Sequence, residues 1–216
     1  MIPTYCFLRI PNLPALLSQR KLPVSPHRPL AVVTDTGERG VVRSASPEAL
    51  ALGVRPGQLV RQLRRFNGTL DLNPEQPEER LSIVRELTAM LKGYTPAVQA
   101  KGEDCFLLDL TGTGRLWGSP ARVGRELLDR LTLEWRLAAS IGIGPTRTLA
   151  RIASVVTSAP GLREVTRSEA EQFLQPLPVE YLPGVGSKTR ELLYRYGWRT
   201  VGELAALPQE LLVETF

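Results

Sequence analysis

Histidine occurs once, at His27, and cysteine twice, at Cys6 and Cys105. That scarcity leaves no ligand set for a structural zinc site, no disulfide framework and no Cys/His nucleophilic pair; the two thiols read as reduced and partly buried. Acid is missing from the first 34 residues, Asp35 being the first carboxylate in the chain. Long apolar runs are missing too: none reaches the roughly 18–20 residues of a membrane span. The N-terminus lacks a basic region followed by a signal-peptide core and cleavage site, so the chain is expected in the cytoplasm. Any catalysis therefore has to rest on carboxylates.

The 216 residues carry a net charge of +5, unevenly spread. Residues 1–70 hold ten Lys and Arg against Asp35, Glu38 and Glu48. Such a basic portion suits an anionic partner, nucleic acid above all, although a solvated basic face accounts for it equally simply. Arg43, Arg55, Arg61, Arg64 and Arg65 form the candidate basic face. The chain is long enough for one mid-sized domain with a smaller appendage.

The apolar pattern predicts a strand at 5–10 (YCFLRI), closed by the proline-broken PNLPALL, and two more strands, RPLAVVT and RGVVRSAS, around the turn DTGERG. PEALALGV reads as a short helix stopping at Gly53. Residues 72–78 (LNPEQPE) read as a proline-rich connector into a helix whose Leu81, Val84, Leu87 and Leu91 share one face. Then come PAVQAKG and DCFLLDLTG, two strands joined at Lys101 and Gly102. A second helix follows, with Ser119 as N-cap and Pro120 at its first position, and then the strand LAASIGIG. Strand, helix, strand, strand, helix, strand, with 11–75 inserted after the first, is the split ferredoxin-like βαββαβ order of an α+β fold.

In that order the first and third strands are central neighbours, so the stretch VQAKGEDCFLLDLTGTG brings Glu103 and Asp104 to the middle of the sheet. Nucleotidyl transfer uses such a place: carboxylates hold two Mg²⁺ ions that orient the attacking hydroxyl and the triphosphate. The first strand offers Arg9 instead of an acid. A cross-strand Arg9–Asp104 ion pair is one expectation, Arg9 reaching to solvent the other. Asp109 is expected to bind the following TGTG turn, and Cys105 to be an inert small hydrophobe. Trp117, Trp135 and Trp198 read as amphipathic packing rings with one edge wet, not as base-stacking platforms.

Farther on, Leu182-Pro183-Gly184-Val185-Gly186 followed by Ser187 and Lys188 matches a helix-hairpin-helix. Its turn would present backbone N–H groups at a helix N-terminus to a phosphate, with Lys188 adding charge, in a non-specific and salt-dependent contact with DNA.

Together these segments resemble the core of a Y-family (DinB-type) translesion DNA polymerase over nearly the full chain. GVVRSASPEALALGVRPG resembles the finger motif, DCFLLDLTGTGRLWG the acidic palm strand, LAASIGIGPTRTLARIASVVTSAPG the last palm strand and helix, and YLPGVGSKTRELL the thumb. The resemblance implies a palm at 1–10 and 76–160, small inserted fingers at 11–75 and a helix-hairpin-helix thumb at 161–216. The little finger and C-terminal tail would then be absent.

Carried over by position, the family's first-strand aspartate falls at Arg9. Its acidic pair falls at Asp104 and Cys105, its finger Tyr and Arg at Pro47 and Leu50, and its KPNG lysine at Ser158. On that ground the chain is similar to the ImuB-like, catalytically inactive branch of the family. What that implies is a non-catalytic scaffold without catalytic residues, metal or cofactor, acting in bacterial SOS mutagenesis and translesion synthesis. Its implied partners are an ImuA-type RecA-like protein, a DnaE-type error-prone polymerase, the sliding clamp (whose binding peptide is not found in this chain) and DNA. Two alternatives stand beside it: an active nucleotidyltransferase using Glu103, Asp104 and Asp109, and a helix-hairpin-helix module of another enzyme.

Overall fold

The alternation of strand β1 (Tyr5–Arg9) organises the larger of two sheets. The computed structural model describes residues 2–21, 28–66 and 68–210, so His27 and 211–216, with Phe216, lie outside the described residues. Cys6, Leu8 and Ile10 point to one side of β1 and join the main core, whereas Phe7 packs on the other side with Leu107 and Ala150. This is the period-two pattern of a strand with different neighbours on its two faces.

After β1 the chain forms helix α1 (Leu13–Lys21) in place of the expected proline break. Pro14 lies in its first turn, where a missing N–H costs nothing. The three-stranded sheet follows: β2 (Leu30–Val33), β3 (Val42–Ala45) and, after α2 (Pro47–Ala51) and a 3-10 turn at Val60–Phe66, β4 (Asp71–Pro74). Its order is β3-β2-β4, with β2 antiparallel to β3 and parallel to β4. The connector expected at 72–78 thus begins as an edge strand, and Pro74 sits at its end, where no ladder donor is needed. Ser46 caps α2 by accepting from the Ala49 N–H, and Gly53 takes φ +90° just beyond it.

Helix α3 (Pro77–Lys92) returns the chain to the large sheet. Leu87 and Leu91 are buried there and Val84 packs alongside, but Leu81, expected on the same face, is 49% exposed. The remaining large-sheet elements are β5 (Val98–Ala100), β6 (Cys105–Asp109), α4 (Gly114–Trp117), α5 (Pro120–Leu133) and β7 (Ser140–Gly144). Helix α6 (Arg147–Val156) and β8 (Gly161–Glu164) complete it. The order β5-β6-β1-β7 is the split pattern anticipated from the sequence, and β8 adds a fifth strand parallel to β7.

Helices α3 and α5 close one face of this sheet: Leu87, Leu91, Val123, Leu127 and Leu131 meet Leu8, Phe106, Leu108 and Ile141 in one apolar cluster. Helix α6 lies on the other face, so close to β7 that a Cβ at Gly142 would stand 2.0 Å from the Ala150 carbonyl oxygen. Glycine at 142 is what permits that approach.

The C-terminal part is helical: α7 (Ala170–Leu174), a 3-10 turn at Val179–Tyr181, α8 (Ser187–Arg195) and α9 (Val201–Ala205). Thr200 and Glu203 cap α9 reciprocally. No helix among the described residues is long and apolar enough to cross a membrane.

Candidate active site and nucleic-acid interface

At the Arg9 end of the large sheet, Arg9 stands opposite Cys105 on β6 and opposite Ser140 on β7. Asp104 immediately precedes β6. Its carbonyl accepts the Ile10 N–H at 2.7 Å, and its Oδ1 accepts the Cys105 S–H at 3.2 Å. The expected Arg9–Asp104 ion pair is not formed, because the carboxylate turns to the thiol rather than across the strands. Burial, then the adjoining Asp104 charge, push the Cys105 thiol up to about 12, while the guanidiniums of Arg9 and Arg151 pull the other way. A thiol so placed stays protonated at neutral pH and is a poor nucleophile.

The neighbouring acids diverge. Glu103 pairs with Arg80 of α3 at 3.2 Å, and Arg80 is also bound by Glu75. Asp109 sits at the far end of β6 opposite Tyr5, where its Oδ1 accepts the Thr111 N–H at 2.9 Å and ties down the TGTG turn as anticipated. Five residue steps of extended chain, roughly 16 Å, separate Asp109 from Asp104. Glu103, Asp104 and Asp109 therefore do not converge. Among the described residues no group of three or more His, Cys, Asp or Glu side chains is gathered.

A polymerase centre implies divalent cations. The donors around Arg9 do not make the oxygen cage of two such ions, since Glu103 is engaged by Arg80 and Arg9 adds positive charge. Asp104 alone fits the lesser demand of one Mg²⁺ arriving on a triphosphate, an ion that commonly takes one or two carboxylates and fills its shell with phosphate oxygens and water.

On the same face lies a cavity of about 240 Å³. Phe7, Leu107 and Pro183 give it an apolar lining, and Lys101, Arg147 and Arg151 give it cationic walls. Arg147 and Arg151 lie one turn apart on α6, and Arg147 also stands over the Tyr5 ring at 5.5 Å. Neither arginine was singled out from the sequence, and Lys101 was read only as a turn residue. The i, i+4 arginine spacing in TRTLARI was the available signal.

Pro183 belongs to the glycine turn, which brings Gly184, Val185, Gly186, Ser187 and Lys188 to the start of α8. Gly184 takes φ +93°, a conformation that favours glycine, whereas Gly186 is extended and simply leaves open space around its Cα. The N–H groups of Ser187, Lys188 and Thr189 have no backbone acceptor among the described residues and point outward as a helix N-terminus does.

The candidate basic face around the small sheet is partly spoken for. Arg43 pairs with Glu75 at 3.5 Å and Arg64 with Glu38. Arg55 donates to the carbonyls of Leu50 and Val54, closing the end of α2, and Arg65 lies over the Phe66 ring at 4.6 Å. Arg61 is exposed. Pro47 and Leu50 lie on α2, and Ser158 lies in the turn between α6 and β8. Trp117 packs against Tyr94 at 4.9 Å and Trp198 stacks on Tyr196 at 5.0 Å.

A sequence profile of the impB/mucB/samB family matches residues 14–155. The chain is 31% identical over 202 residues to the DNA polymerase IV of Ectopseudomonas mendocina, covering 94% of this chain and 57% of that protein. It is also 31% identical over 191 residues to the DNA polymerase IV of Moorella thermoacetica, covering 88% and 48%. The chain thus spans about half the length of these curated relatives. In three dimensions it superposes on DinB from Sulfolobus solfataricus with a TM-score of 0.87 at 20% identity, over 98% of this chain and 62% of that one. The relatives are named as enzymes, which corrects the expectation of a chain without enzymatic character: substitutions placed by position, Arg9 and Cys105 among them, do not outweigh this similarity along nearly the whole chain. The chain belongs to the impB/mucB/samB family and is a homologue of the Y-family DNA polymerases.

Proposed function

We propose that this chain is the palm, fingers and thumb of a DNA polymerase that works on damaged template. The observation that carries the reading is the 31% identity to a DNA polymerase IV along 94% of the chain. The cationic cavity on the α6 face and the open N–H groups of α8 support it by offering two phosphate-attracting surfaces joined through Pro183. In this reading the large sheet is the palm, residues 11–75 are the fingers, and the glycine turn with α8 and α9 is the thumb that grips duplex backbone without reading its sequence.

The reaction is attack of the primer 3′-hydroxyl on the α-phosphorus of a nucleoside triphosphate, with pyrophosphate leaving. A bound Mg²⁺ would supply Lewis-acid stabilisation of the phosphoryl oxygens, held by Asp104. The chain's own residues do the rest: Lys101, Arg147 and Arg151 attract the phosphates, while Phe7 and Leu107 keep the floor beneath them dry. Primer extension on intact and abasic templates, with Mg²⁺ and with Mn²⁺, tests this. Extension abolished by Asp104→Ala is expected. No extension with either ion, or extension indifferent to Asp104→Ala, would overturn it and leave a DNA- and partner-binding body.

A further inference from the structure

Arg9 is a permanent cation on the central strand of the large sheet, and among the described residues no ion pair or side-chain hydrogen bond engages it. Across from it on β7, the Ser140 hydroxyl is fully buried and has no hydrogen-bond partner. Such an orphaned hydroxyl is unusual in a folded protein. Across from it on β6 is Cys105, whose thiol also lies within the field of Arg151. Lys101, Arg147 and Arg151 line the cavity on the α6 face, Arg9 shares that face through its register opposite Cys105, and the adjoining Asp104 carboxylate is turned to the Cys105 thiol. Among the described residues none of the four cations forms an ion pair, and Arg147 stands over the Tyr5 ring. Free guanidiniums beside an apolar floor are a good setting for a phosphate group, which they bind through forked, charge-assisted hydrogen bonds.

We infer that the centre of this sheet binds a phosphate group directly, through Arg9 and Arg151 with Lys101 at the rim, without a divalent metal. The phosphate comes from a free polyphosphate or from the DNA backbone, and both present the same oxygens. This deepens the polymerase reading and rests on it only for the source of the phosphate. Extension can fail while phosphate binding persists, and the reverse, so the two are tested separately.

Titration calorimetry of pyrophosphate into the full chain, in EDTA and at low salt, is the test. Binding is expected, weakened by about tenfold or more in Arg9→Gln and in Arg151→Gln. Arg9→Lys, which keeps the charge but loses the fork, should fall between, and Arg115→Gln on α4 should leave the affinity unchanged. Thermal melts of each variant separate a lost site from a lost fold. An affinity untouched by Arg9→Gln in a folded protein, or binding that appears only when Mg²⁺ is added, would overturn the inference. Displacement of a labelled primer–template by pyrophosphate from the native chain but not from Arg9→Gln assigns the phosphate to DNA. Simultaneous binding of both, still lost in Arg9→Gln, assigns it to a free polyphosphate.

Discussion

Along β1 and β6, Cys6, Leu8, Phe106 and Leu108 are sealed beneath α3 and α5, whereas the alternate residues Phe7, Cys105 and Leu107 pack towards α6, with Arg9 opposite Cys105, and Phe7 and Leu107 line a cationic cavity. Both sets lie on the same strands, one residue apart. On the covered face, shape and apolar area decide which residue fits. On the α6 face the fold tolerates an arginine and a half-buried thiol, and the side chains there are free to meet a ligand. A helix laid over only part of a sheet is what separates the two roles.

The sharpest way to break that contrast is to truncate each face. Phe106→Ala, which empties a fully buried ring site, should cost about 3–5 kcal/mol, while Cys105→Ala should cost about 1 kcal/mol or less. Urea midpoints for the two variants measure it; equal losses would mean that the α6 face is as much core as the other.

The thiols extend the comparison into pH. Burial raises the Cys6 thiol from its ordinary 9.0 to about 12, and Cys105 rises similarly with Asp104 contributing. A group whose pKa is higher in the folded state favours folding below the unfolded value and loses that contribution as pH rises. Stability should therefore be full below about pH 9 and fall between about 9 and 12, Cys6 adding a slope of about 1.4 kcal/mol per pH unit. Cys6→Ala should flatten the decline seen in chemical denaturation at stepped pH, at the cost of a lower plateau.

A smaller effect is expected away from the sheet. Thr200→Ala removes the hydroxyl that accepts the Glu203 N–H and should cost about 1 kcal/mol, read from the melting of the C-terminal helices. Primer–template affinity should change little, since α9 carries none of the open N–H groups.

Much of the large sheet was legible because its strands follow simple rules. YCFLR and CFLLD are short apolar runs bounded by turn residues, and Ser119-Pro120 marks a helix start with a cap and a proline. The strand at 71–74 was hidden by Asn73 and Pro74, since a parallel edge strand needs few ladder donors and little apolar alternation. Helix α1 was hidden because Pro14 reads as a breaker unless it is known to fall in a first turn. In the site, the pairing of β1 with β6 followed from topology, but the register that sets Cys105 rather than Asp104 opposite Arg9, and the direction of the Asp104 carboxylate, did not. The cavity escaped because it joins residues from β1, β6, α6 and the glycine turn, a meeting that no spacing along the chain announces.

The division of labour between the two faces is tested most directly by backbone hydrogen exchange of the chain with and without primer–template DNA. Slowed exchange at 98–109, 147–151 and 184–189, with α3 and α5 unchanged, is the predicted result. Protection confined to α3 and α5, or none in the α6-side segments while DNA is demonstrably bound, would contradict the assignment of the α6 face as the functional one.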